Sequence, residues 1–193
     1  MTATMRDAVS PDLRTTLRAL KLGQMLDTLP ERLTLARQQK MPHADFLELV
    51  LADEVTRREA KSASLRARAA GLDASMRLDT WDGSAAVRYD HQLWNELASL
   101  RFLDGPHGAV ILGPVGVGKT HMACALGHIA IRRRRTVHMA SAGKLFKRLK
   151  AARLDNTLDY EMRRLAGVEL LILDLSRPRD YPDCWPGWSR PRR

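Results

Sequence analysis

The chain has 193 residues, long enough for one or two domains, and its hydrophobic fraction of 45% excludes a protein that is disordered throughout. Lysine and arginine number 32 against 22 aspartates and glutamates, and the resulting net charge of +10 favours nucleic acid over a membrane as a partner. The two cysteines lie far apart without metal-ligand spacing, and the sequence has neither a signal peptide nor a membrane-length apolar run. We therefore expect a cytoplasmic protein without disulfides.

Helical patterns dominate the first 75 residues. Apolar residues recur at helical spacing over 11–40, where Pro30 is predicted to break the pattern into two helices, and again over 44–70, where Gly71 is a natural stop. We predict a small all-α N-terminal domain over 1–75. A linker and one further helix follow over 76–104.

The pattern changes after residue 104. Short apolar runs that are typical of buried parallel strands alternate with helical segments, which indicates an α/β fold with a parallel sheet over 105–174. The predicted strands are 109–112, 136–140 and 168–174. The predicted helices between them are 118–132, 141–153 and 158–166.

The strongest chemical signal is GPVGVGKT at 113–120, which we call the phosphate loop. It fits the pattern G-x-x-x-x-G-K-[ST], whose glycines let backbone N–H groups surround a phosphate chain at the start of a helix. Lys119 is predicted to reach the β- and γ-phosphates of ATP, and the Thr120 hydroxyl to bind Mg²⁺. His121 is predicted either to border the nucleotide or to be a structural residue. The candidate nucleotide contacts are Gly113, Pro114, Val115, Gly116, Val117, Gly118, Lys119, Thr120 and His121.

Asp174 ends the apolar run LLILD. A carboxylate so close to a core needs a compensating partner, and Mg²⁺ beside a phosphate loop is one. The alternative is an ordinary aspartate at a strand end. We predict that Lys119 and Asp174 are the catalytic residues and that Thr120 and Asp174 hold Mg²⁺.

These residues carry a family likeness. The stretches LKLGQMLDTLPERLTLA, FLELVLADEVTRRE, GPVGVGKTHMACALGHIAI and LLILD resemble the IstB-like ATP-binding proteins, helper ATPases of insertion-sequence transposition. That family belongs to the AAA+ P-loop ATPases and is similar to DnaC-type helicase loaders. The resemblance covers residues 13–174 and implies ATP with Mg²⁺, binding to double-stranded DNA, self-association on DNA and cooperation with a transposase, but no membrane.

The sequence departs from the family after Asp174. Leu175 stands where the family places a second acid, and the proline-rich residues 175–193 cannot supply the further strands that the family implies. We therefore expect an incomplete, C-terminally truncated P-loop sheet, an irregular out-of-frame tail over 175–193, and weak or absent hydrolysis. The competing interpretations are a DnaC-like helicase-loading adaptor and an inactive DNA-binding remnant.

A basic segment from Arg132 to Arg153 has nine basic residues and no acidic one. Its functional interpretation is a DNA-facing surface that engages phosphates, and its alternative is a solvated helix face. The DNA-binding candidates, which we call the cationic cluster, are Arg132, Arg133, Arg134, Arg135, Lys144, Lys147 and Arg148.

Overall fold

The computed structural model describes residues 9–81 and 88–175. The chain divides into two compact units, residues 1–62 and 63–193. The predicted tail, apart from Leu175, lies outside the described residues, as does Cys184.

The described part of the first unit is mainly helical. It contains α1 (Pro11–Ala19), a 3-10 turn (Gly23–Asp27), α2 (Leu29–Gln38) and most of α3 (His43–Ala69). Pro30 lies in the first turn of α2, where a proline costs no backbone hydrogen bond. The interruption between the two helices therefore lies before Pro30, between α1 and α2. Pro30 lies at the start of a helix and does not end one.

A small apolar core holds the first unit together. Val9, Leu17, Met25, Leu29 and Val50 are buried in one cluster. The buried Glu54 carboxylate beside it accepts charge-assisted hydrogen bonds from two guanidinium groups, those of Arg57 and Arg58, each with a nitrogen 2.7 Å away. These bonds lower the pKa of Glu54 to about 2, and the bond from Arg57 has the larger effect.

The second unit contains part of the predicted alternation of helices and strands. After the end of α3 come a 3-10 turn (Leu78–Thr80), α4 (His91–Ser99), a second 3-10 turn (Arg101–Asp104) and α5 (Lys119–Arg132). Then follow β1 (Val137–Ser141), α6 (Ala142–Leu154), α7 (Leu158–Ala166) and β2 (Leu170–Asp174). The part of the chain that the structure describes has no helix that is both long and apolar enough to span a membrane.

The two strands form a parallel sheet. The register pairs Val137 with Leu170 and continues to Ser141 beside Asp174, so both strands end at the same edge. Parallel strands need a crossover connection, and α6 and α7 provide it.

Helix α5 is the centre of the second unit's core. Its side chains Cys124 and Ile131 pack with Ile172 of β2 and with Leu72, and its Ala125 and Leu126 pack against Trp94 of α4. Small residues permit this close approach: a Cβ on Gly127 would lie 2.8 Å from Leu72 Cδ2.

The predicted strand at 109–112 is wrong for this structure. Residues 107–114 have no regular secondary structure, and the side chains of Val110 and Leu112 are 79% and 86% exposed. Among the described residues the sheet contains β1 and β2 alone. The resemblance implies neighbours on both sides of this run, and without a neighbouring strand four apolar residues cannot form a hydrogen-bonded ladder.

We predict that Gly71→Ala destabilises the second unit. Gly71 follows α3 with φ +80°, and an added Cβ would lie 2.9 Å from the backbone oxygen of Met139. Strain and overlap together are expected to lower the free energy of unfolding by about 1–3 kcal/mol. Urea denaturation followed by tryptophan fluorescence measures this unit alone, because all four tryptophans lie after residue 62.

Gly108→Ala is the matched control. The added methyl group at Gly108 meets no described atom within 4 Å. Equal destabilisation by the two substitutions would contradict the prediction.

Candidate nucleotide-binding site

The phosphate loop forms a turn that only its glycines allow. Gly116 and Gly118 both have φ +88°, in the left-handed region that residues with a Cβ avoid. Residues 112–116 are exposed, and Val115 is 99% exposed. The loop therefore presents backbone to solvent, as a phosphate-binding loop must.

Helix α5 begins directly after this turn. Gly118 is its N-cap residue, and no described side chain caps the helix at this end. The first backbone N–H groups of an uncapped helix carry partial positive charge and need acceptors. The phosphate groups of a nucleotide would satisfy them.

Lys119 folds back over the loop. Its Nζ donates a hydrogen bond of 2.6 Å to the carbonyl oxygen of Pro114. The ammonium group thus lies across the predicted phosphate cradle, where it can exchange a carbonyl for a phosphate oxygen.

Thr120 and Asp174 meet at the carboxyl ends of the strands. The Thr120 hydroxyl donates a hydrogen bond of 3.2 Å to Oδ2 of Asp174, although the two residues are 54 positions apart in the chain. Their oxygens suit Mg²⁺, which is usually held by one or two protein oxygens together with substrate phosphates and water. The described residues contain no group of three or more His, Cys, Asp and Glu side chains that could hold a metal. A magnesium ion here would therefore depend on the phosphates for further ligands.

His121 lies against an earlier segment that the sequence did not single out. A carbonyl oxygen can only accept, so the His121 Nε2–H donates a hydrogen bond of 2.7 Å to the Arg77 oxygen. The Trp81 indole meets the His121 ring edge-on, with centroids 5.0 Å apart. These contacts join residues about 40 positions apart, and no local pattern in the sequence could have indicated them.

Cys124 lies one turn beyond the loop and is fully buried. Its Sγ is 3.3 Å from Sδ of Met139. Burial raises the pKa of the thiol, so it stays protonated and unreactive. Cys124 therefore belongs to the core of the second unit.

Several members of the cationic cluster are engaged within the second unit. The Arg133 guanidinium donates to the Ser99 carbonyl, and Arg135 forms ion pairs of 2.8 Å with Asp104 and 2.7 Å with Glu169. Arg148 pairs with Glu161 and lowers the pKa of that carboxyl through its hydrogen bond. Lys144 and Lys147 are exposed on α6. Three arginines of the cationic cluster, Arg133, Arg135 and Arg148, therefore have hydrogen-bonding or ion-pair partners within the second unit.

Comparison with known proteins identifies the family to which the chain is similar. The family model described as IstB-like ATP binding protein matches residues 15–177. A protein of an insertion sequence in Mycobacterium tuberculosis (strain ATCC 25618 / H37Rv), named for ATP binding, is similar at 37% identity over 89% of this chain and 68% of its own length.

Two further relatives are named as ATP-binding proteins of insertion sequences. That of IS1162 from Pseudomonas fluorescens is 34% identical over 82% of this chain and 69% of its own length. That of IS21 from Pseudomonas aeruginosa is 29% identical over 84% of this chain and 62% of its own length. The chain thus spans about two thirds of the relatives that it matches.

We predict that Asp174→Asn removes the magnesium dependence of nucleotide binding. The wild-type chain is expected to bind a fluorescent ATP analogue more tightly with Mg²⁺ than with EDTA, because Asp174 supplies a carboxylate beside Thr120. The variant is expected to bind equally in both conditions. Asp155→Asn, at an exposed residue after α6, is the control. If Asp174→Asn retains the full effect of Mg²⁺ on nucleotide affinity, Asp174 is not part of the magnesium site.

Proposed function

Because the chain belongs to the IstB-like ATP-binding protein family, we propose that it is an ATP-binding helper protein of insertion-sequence transposition. The observation that carries the proposal is the bond between Thr120 and Asp174 beside an uncapped helix N-terminus. This bond brings the phosphate loop close to the carboxylate at the end of β2. A P-loop protein uses these two groups together to bind Mg-ATP.

The proposed binding mechanism uses the chain's own groups. Backbone N–H groups of the phosphate loop and of the first turn of α5 donate hydrogen bonds to the phosphate chain, and Lys119 leaves the Pro114 carbonyl to pair with the β- and γ-phosphates. Thr120 and Asp174 orient the metal side of the nucleotide. Mg²⁺, when bound, neutralises phosphate charge at this point.

Hydrolysis is proposed to be weak. The residue after Asp174 is Leu175, which is 78% exposed and has no group that could activate water. The resemblance implies an acid at this position. In this proposal the nucleotide acts mainly as a ligand that stabilises the folded second unit, and turnover contributes little.

Double-stranded DNA, a transposase and further copies of the chain on DNA are the proposed partners. The net charge of +10 and the exposed Lys144 and Lys147 on α6 favour contacts with phosphates. The names of the relatives place them in insertion sequences, which supports a transposase over a replicative helicase as the protein partner. A pulldown with each candidate partner distinguishes the two.

A second candidate function is a DNA-binding protein without nucleotide-dependent activity. The exposed side chains of Val110 and Leu112, directly before the phosphate loop, favour it. A loop that is not supported by a paired strand is free to lose the shape that phosphate binding needs. Nucleotide binding by the purified chain decides between the two candidates.

We predict that Mg-ATP raises the melting temperature of the purified chain and that Lys119→Ala removes this shift. A ligand that binds only the folded state stabilises it by RT ln(1 + [L]/Kd), which is about 2.7 kcal/mol at a hundredfold excess over Kd. Lys144→Ala, at an exposed lysine outside the loop, is the control and should keep the shift. A broad melt without any shift would favour the second candidate.

We predict that Lys144→Glu combined with Lys147→Glu weakens DNA binding and flattens its salt dependence. Each lost phosphate contact reduces the slope of log K against log salt by about 0.9, so the double variant should lose about 2. Binding is measured by fluorescence anisotropy at several salt concentrations.

Lys40→Glu combined with Lys61→Glu makes the same change of charge at exposed residues of the first unit. An unchanged slope in the α6 variant, or an equal change in both variants, would exclude α6 as a DNA surface.

A further inference from the structure

Trp81 lies against the glycine that begins α5. A Cβ placed on Gly118 would lie 2.6 Å from both Cη2 and Cζ3 of the indole. The ring therefore rests on the glycine's Cα at the point where the backbone turns through φ +88°. Any larger residue at position 118 would displace the indole.

The same indole also contacts His121, the residue after Thr120. It meets the His121 ring edge-on, with the centroids 5.0 Å apart and the planes at 80°. His121 Nε2 also donates its hydrogen bond to the Arg77 oxygen. Gly118 precedes Lys119, and His121 follows Thr120. The two residues that are predicted to bind phosphate and metal thus lie between two points of contact with one earlier segment.

That segment, residues 77–81, is itself held firmly. The Thr80 hydroxyl donates to the Ser75 carbonyl at 2.5 Å and accepts from the Arg77 N–H at 3.0 Å. The backbone N–H groups of Thr80 and Trp81 close the 3-10 turn onto the carbonyls of Arg77 and Leu78. A turn with this many internal bonds can hold a neighbouring loop in place.

We propose that Trp81 is a positioning residue that fixes the phosphate loop in its binding shape by bracing Gly118 and His121. Without the indole, Gly118 is free to leave the left-handed conformation, and the first N–H groups of α5 then no longer converge on one point. The inference rests on the proposed nucleotide binding. In this inference, Trp81 increases the affinity for the phosphate groups of the ligand and does not contact its base.

The test compares two ligands that share only their phosphates. Isothermal titration calorimetry measures the affinity of the full chain for Mg-ATP and for inorganic tripolyphosphate with magnesium. Trp81→Leu is expected to weaken both by the same factor, about threefold to tenfold, the size that one lost aromatic contact gives. Trp81→Phe is expected to restore most of the affinity for both ligands.

Trp94→Phe is the matched control, because Trp94 packs against Ala125 and Leu126 of the same helix, whereas the atoms nearest an added Cβ on Gly118 all belong to Trp81. It should leave both affinities unchanged. If Trp81→Leu does not fold, His121→Leu tests the other point of contact, and His121→Gln, whose amide can still donate to the Arg77 oxygen, should restore binding.

Each outcome decides the inference. An equal loss for both ligands supports it. A loss for ATP alone would place the indole against the base and overturn it, as would unchanged affinity for both ligands. If the wild-type chain binds neither ligand, the proposed function itself fails, and this result is distinct from a failure of the role of Trp81.

Discussion

The second unit depends on the burial of α5, seven of whose 14 residues are buried, while no described side chain caps its N-terminus. Ala130 and Cys124 are 0% and 1% exposed, and α3, α4 and β2 all pack against this one helix. Small side chains make such close packing possible, because alanine, glycine and cysteine let neighbouring elements approach. The cost is that a methyl group added at Gly127 has no room. The helix is therefore fixed by its sides, and its first turn is held where the strands end.

The packing that fixes α5 also fixes the distance between Thr120 and Asp174. Ile172 of β2 packs against the sides of α5, and two residues later Asp174 meets Thr120 at the first turn of the helix. Apolar packing and the polar contact thus reinforce each other, since each requires the same separation of helix and strand. Ser141 lies in register beside Asp174, so the crossover from β1 begins at the same edge. A change that moved α5 by a fraction of its diameter would break the hydrogen bond before it broke the core.

Local patterns were good predictors and distant contacts were not. The helix predicted at 158–166 is confirmed as Leu158–Ala166, with Leu165 buried and Gly167 at its C-cap. The phosphate loop could be found because all its parts are contiguous. The prediction of a strand at 109–112 was wrong because a strand needs a hydrogen-bonded partner elsewhere in the chain, and the described residues provide none. Trp81 and Arg77 were missed for the same reason: their role is defined by contacts with residues far along the chain. The predicted domain boundaries and site roles remain predictions.

The outer edge of β1 is closed by the end of α3. The Met139 N–H donates to the Ala70 carbonyl at 2.7 Å, and its carbonyl lies so near Gly71 that a methyl group there would overlap it. A strand approaching from that side would find the hydrogen-bonding groups of Met139 already used or covered. Addition of a strand beyond β1 is therefore blocked at Met139, which protects this edge of the sheet from pairing with another chain.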